Sequence, residues 1–164
     1  MEGVQMLPTL QNSADIEPVL EEIKNTKFIG EVSHQEIKQH TAGGTIRFLY
    51  DGDSLLGFGA WQFVNPVWRE IGPLYIIEMA RERGVARMMI DEMFAINAAY
   101  NLYVVTKNPV IGYLARQYNF TQVSMVKLPM PLKLHLLRKF KPTRIAHMLT
   151  KMSRDPVLHY IRKV

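Results

Sequence analysis

Three arginines crowd one glycine near the middle of the chain: Arg81, Arg83 and Arg87 surround Gly84. Guanidinium groups are permanently charged forks of donors that suit phosphate. A glycine among them lets an anion reach the main chain, because no Cβ stands in the way. Residues 74–78 before the cluster suit a strand. After it Ala86, Met89, Ile90, Met93, Ile96 and Tyr100 recur at helical spacing, and Asn101 suits a left-handed stop. Strand, tight turn and helix together bind phosphate, since the first-turn amides lack internal acceptors and the macrodipole adds positive partial charge. An ordinary strand–helix unit with solvated arginines fits the same residues, because short glycine motifs recur by chance.

Other chemistries are excluded or thinly supported. The chain has no cysteine, so disulfides, thiolate nucleophiles and thiolate metal sites are out. Its five histidines are scattered without ligand spacing, which predicts no metal site. No apolar run is long enough to span a bilayer, and no secretory leader is evident, so a cytoplasmic location is expected. With 164 residues, 48% hydrophobic and 21% charged, the composition is that of a globular chain able to bury a core. Charge is uneven. From Lys127 onward ten lysines and arginines face one acid, Asp155, whereas the earlier residues are net acidic.

The elements that must position these groups follow from periodicity. A short strand is predicted at residues 4–7. A helix capped near Asn12, Ser13 and Asp15 then carries Ile16, Val19, Leu20 and Ile23 on one face. Ser33 and Glu36 form a capping box for a helix over 33–40. Strands at 45–50 and 55–64 flank an Asp51-Gly52 turn, and a third at 68–78 is interrupted at Gly72-Pro73. A strand at 102–106, reached by a helical crossover, is predicted parallel to 74–78. Asn108-Pro109 opens a helix to about Tyr118, and a last strand spans 120–126.

This element order, with Arg81-x-x-Gly84-x-Ala86 opening the crossover helix, resembles the GNAT superfamily of acyl-coenzyme A-dependent N-acyltransferases. The family motif is Gln or Arg, two residues, Gly, one residue, then Gly or Ala. A second landmark, an Asn after the next strand with an aromatic twelve residues on, is matched by Asn108 and Phe120. The resemblance implies an α/β fold of the α+β kind: a mixed, mostly antiparallel sheet with a V-shaped splay between two parallel strands, flanked by helices.

It also implies roles. Acetyl-coenzyme A would be the co-substrate, attacked directly by an amine acceptor. Its pyrophosphate would lie on the amides around Arg83, Gly84, Val85, Ala86 and Arg87, with Arg81 beside them. A backbone amide near Ile76 and Ile77 would polarise the thioester carbonyl. Asn108, Thr106 and Tyr113 would line the cofactor arm, although Asn108 equally reads as a helix cap before Pro109. Glu70 is the first candidate base and Glu78 the second, against the plain reading of charges on a strand edge. Two positions depart from the family. Ala115 stands where a Tyr often acts as general acid, leaving Tyr118 as the nearest substitute. Asn119 stands where Gly is usual, a mild change because Asn tolerates a left-handed backbone.

A domain edge is expected after Lys127, giving a GNAT-like domain over 1–127 and a basic helical extension over 128–164. Leu132, Leu136, Leu137 and Phe140 make one apolar stripe and Ile145, Met148, Leu149 and Met152 another. Asp155-Pro156 reads as the start of a third helix carrying Val157, Leu158 and Ile161. The extension could pack on the domain or on a twin subunit as a homodimer, contact nucleic acid or another anionic partner, or lie on a membrane. The sequence therefore predicts an N-acetyltransferase, with a catalytically weak binding module as the alternative.

Overall fold

The computed structural model describes residues 5–7, 17, 20, 21, 32–81, 84–139 and 157–164. Its contacts fall into two units that do not follow chain order, one of residues 1–62 and 71–98, the other of 63–70 and 99–164. Strand β4 (Trp68–Ile76) runs from the second unit into the first. The sequence predicts a break at Gly72-Pro73, but the strand is continuous there.

In the first unit the strand order is β1-β2-β3-β4, with β1 at Gln5–Leu7, β2 at Ile46–Asp51 and β3 at Ser54–Phe63. β1–β2 and β2–β3 are antiparallel. Helix α1 (His34–Ala42) starts at the predicted capping box: the Glu36 amide donates to Ser33 Oγ at 3.2 Å and the Ser33 amide to Glu36 Oε2 at 3.0 Å. Ile37, Ile46, Phe48, Phe58 and Tyr75 fill the core between them. Of the helix predicted from Asn12 only residues 17, 20 and 21 are described, and Leu20 is buried in this core.

Helix α2 (Val85–Ile96) lies over β3, where Gly59 makes room for it. A Cβ there would come within 2.6 Å of Met93 Sδ and 2.8 Å of Met89 Cγ. The helix ends before the Asn101 stop read from the sequence. Asn97 Nδ2 donates back to the Met93 carbonyl at 2.8 Å and caps the last turn, and Asn101 is instead the first residue of the next strand.

The second unit has the order β4-β5-β7-β6, with β5 at Asn101–Thr106, β6 at Thr121–Val123 and β7 at Leu158–Arg162. β4 and β5 are parallel, as predicted, but the register sits earlier than expected. Only Trp68↔Asn101, Arg69↔Leu102 and Glu70↔Tyr103 are paired. β5 continues to Thr106 alongside β7.

Helix α3 (Pro109–Gln117) packs on β7, and Gly112 meets the Tyr160 ring there, with its added Cβ only 2.5 Å from the hydroxyl. Asn119 beyond it has φ 64°, the left-handed conformation its side chain tolerates.

Residues 128–164 differ most from the sequence reading. Helix α4 (Met130–Lys139) forms, and Leu128, Leu132 and Leu136 join Trp68 and Tyr103 in a core. Leu137, assigned to the same stripe, is exposed. The predicted third helix is strand β7, paired on both sides with β5 and β6. Unsatisfied strand edges on two neighbours outweigh an Asp-Pro start signal. Phe140 and the stripe from Ile145 to Met152 lie outside the described residues.

Candidate functional site

Gly84 opens α2 with φ 77° and no side-chain cap. This is the left-handed conformation that glycine adopts without penalty. A Cβ on Gly84 would meet nothing within 4 Å among the described residues. Its carbonyl accepts from the amides of Arg87 (3.1 Å) and Met88 (3.2 Å), starting the helix. Val85 is buried beneath, Ala86 half-buried, and Arg87 exposed on the first turn. Arg81 is exposed, and its Nε donates to the Ile76 carbonyl at 3.2 Å. The Ile77 amide donates to the Leu56 carbonyl of β3 at 2.9 Å. Glu78 is exposed and begins the 3-10 turn Glu78–Ala80, of which Ala80 is buried. Arg83 lies outside the described residues.

In the second unit Glu70 ends the parallel register and is almost wholly buried, with 5% of its side chain exposed. Helix α4 supplies its partners. His135 Nε2 stands 2.6 Å from Oε2, and Lys139 Nζ donates to both oxygens at 2.7 Å. Burial pushes the Glu70 carboxyl up, but the His135 hydrogen bond and the Lys139 charge together carry it below the ordinary value, so it stays ionised. Across the register the Tyr103 hydroxyl is 2.7 Å from His159 Nδ1, with the rings stacked 6.0 Å apart. Burial, then the Glu70 charge, pushes the phenol up. Tyr103 therefore donates and His159 accepts.

Asn108 caps α3, its Oδ1 accepting from the Val110 amide at 2.9 Å, while its own amide donates to Thr106 Oγ1 at 3.0 Å. Tyr113 is exposed, and its hydroxyl accepts from Gln117 Nε2 at 2.7 Å. Ala115 is buried, and Tyr118 forms the C-terminal cap of α3.

No protein-family model matches the sequence, and no curated protein matches it. Solved structures do. N-acetylglutamate synthase from Neisseria gonorrhoeae, complexed with coenzyme A and N-acetyl-glutamate, superposes with a TM-score of 0.71 at 14% identity, over 99% of this chain and 35% of that one. Rv2747 from Mycobacterium tuberculosis, in complex with CoA and NLQ, gives 0.72 at 10% identity, over 98% and 99%. Ard1 from Thermoplasma volcanium gives 0.66 at 12%, over 98% and 97%. The chain has the GNAT fold. It spans about a third of the first of these structures and nearly all of the other two.

Within this GNAT fold the sequence reading named Glu70 and the α2 opening but missed the partners of Glu70. His135 and Lys139 are four apart on α4 and so share a face. Nothing local ties them to a carboxylate 65 residues upstream. Tyr103 and His159 were missed for the same reason, since the sequence hid the strand that carries His159.

Proposed function

We propose that the protein is an acyl-coenzyme A-dependent N-acyltransferase that moves an acetyl group from acetyl-coenzyme A to an amine. The observation that carries this reading is a left-handed Gly84 that opens α2 without a side-chain cap, on a GNAT fold. The pyrophosphate rests on the amides from Gly84 to Ala86, with Arg81 and Arg87 around it; the motif's other arginine, Arg83, lies outside the described residues. The Ile76 amide polarises the thioester carbonyl. Asn108, whose Oδ1 is taken by the cap, offers its Nδ2 to the cofactor arm beside Tyr113. Glu70 is the first candidate for the base that takes the amine proton, Glu78 the second, and Tyr118 returns a proton to the departing thiolate.

Isothermal titration with acetyl-coenzyme A, followed by thiol release with a panel of primary amines, tests the reading. Gly84→Glu puts a side chain and a negative charge into the anion site. Its affinity should fall by more than about tenfold, on the order of 1.4 kcal/mol. A folded Gly84→Glu protein with unchanged affinity overturns the assignment.

Ala115 favours a second reading: a catalytically weak module that uses the fold to hold nucleic acid or a protein partner. Its buried position supplies no acid for the thiolate. Tight cofactor binding with no thiol release on any amine supports the module.

A further inference from the structure

Helix α4 turns one face inward and leaves the other bare. Leu132 and Leu136 are buried in the core with Trp68 and Tyr103, while His135 and Lys139 hold Glu70. On the outer face Met130, Leu134 and Leu137 are 64%, 49% and 60% exposed. Their i, i+4, i+7 spacing sets them within about 60° of one another around the helix. By the same geometry Lys133 falls about 40° beyond one edge of this stripe and Arg138 about 40° beyond the other. The 3-10 turn before the helix, Met125–Lys127, adds exposed Met125, Val126 and Lys127.

The charge around this face has one sign. The second unit, residues 63–70 and 99–164, holds thirteen lysines and arginines against two acids, Glu70 and Asp155. Glu70 is buried and already held by His135 and Lys139, and Asp155 lies outside the described residues.

We propose that the outer face of α4, with the turn before it, is a docking surface for an anionic lipid bilayer. The apolar side chains enter the boundary between headgroups and acyl chains. Lys127, Lys133 and Arg138 reach lipid phosphates beside them, their long stems lying along the apolar layer. An apolar centre with a cation on each flank is the pattern that such a boundary rewards. Nucleic acid would reward the cations alone. Residues 125–139 contain no Phe, Tyr or Trp on which a base could stack. An acidic partner helix would seek a groove between elements, whereas this stripe follows the convex side of one helix. The proposal stands apart from the acyl-transfer reading.

Flotation of the full chain with vesicles tests it. Wild type should float at low salt with equal parts phosphatidylcholine and phosphatidylglycerol, and should stay behind with phosphatidylcholine alone. The combined variant Met130→Gln, Leu134→Gln and Leu137→Gln keeps every charge, and its partition should fall about tenfold or more. A Trp reporter at Leu137→Trp should shift its emission to the blue on the mixed vesicles, beyond any shift of wild type. The urea midpoint of each variant, equal to that of wild type, shows that the fold is kept. Wild type that floats with neither vesicle overturns the proposal. Undiminished flotation of the glutamine variant does too, because charge alone then holds the protein. Binding to duplex DNA with no response to vesicles assigns the basic face to nucleic acid and overturns it. A dimer in sedimentation that the glutamine variant abolishes, again with no flotation, gives the stripe to a second copy and also overturns it.

Discussion

Glu70 and Tyr103 are the last pair of the parallel register between β4 and β5, and Tyr103 sits in the field of the Glu70 charge. Burial, then the carboxylate charge, pushes the phenol upward, so Tyr103 keeps its proton and donates it to His159. Burial pushes His159 down, and the Glu70 charge opposes this only in part.

The pH dependence of stability follows from these directions. His159 is lowered from 6.5, so the unfolded chain binds more protons below that value and its contribution is lost as pH falls. Glu70 is lowered from 4.5, so its contribution is present above that value and is lost as pH falls further. The urea midpoint should therefore decline in two stages on acidification from neutral pH. Glu70→Gln should flatten the second stage. A midpoint constant down to pH about 4 contradicts the buried network.

Gly57 in β3 faces the Tyr75 carbonyl so closely that a Cβ would stand 2.2 Å from that oxygen and 2.9 Å from Ile76 Cα. Both obstacles are backbone and cannot rotate away. Gly57→Ala should cost about 1–3 kcal/mol or more, as overpacked cores do. It should also displace the β4 segment that bears Ile76. Gly84→Ala meets open space but retains φ 77°, so it should cost only about 1 kcal/mol. Equal denaturant midpoints for the two variants contradict this ranking.

What could be read without coordinates was what local chemistry dictates. Ser33 with Glu36 and Asn108 before Pro109 satisfy orphan donors within a few residues, and Gly84 supplies the left-handed backbone that opens α2, so spacing reveals all three. The aromatic alternation of β2 and β3 carried the meander in the same way. Asn97 was invisible as a stop because Asn101 offered the same chemistry four residues later, and only the start of β5 chooses between them. β7 was hidden for a different reason. His159 and Tyr160 are indifferent to secondary structure until β5 and β6 stand on either side. The Glu70 cluster joins residues from four elements and leaves no local trace.

Arg69 lies between two rings, with its guanidinium carbon 4.1 Å from the Phe63 centroid and 3.7 Å from that of Tyr100. One nitrogen also donates to the carbonyls of Asn65 (2.7 Å) and Trp68 (3.2 Å). A flat fork can stack and donate at once, which an ammonium cannot. Arg69→Lys should therefore lose about 1–3 kcal/mol, despite keeping the charge. A melting temperature equal to wild type counts against this account.

Residues 158–162 pair with β5 from Leu102↔Arg162 to Thr106↔Leu158 and with β6 from Thr121↔Ile161 to Val123↔His159. Removing 158–164 strips partners from two strands and exposes the Tyr103 hydroxyl, so the shortened chain should lose its cooperative urea transition. Truncation therefore cannot test whether the basic residues hold an anionic partner. Charge reversal can, because Lys127 and Arg138 are exposed and Lys133 is only half-buried. Lys127→Glu, Lys133→Glu and Arg138→Glu together should leave the urea midpoint within about 0.5 kcal/mol of wild type. The same protein should leave a heparin column at lower salt, since each lost phosphate contact reduces the number of counterions released. A triple variant that unfolds means these side chains are structural, and one that elutes with wild type places the anionic contact elsewhere.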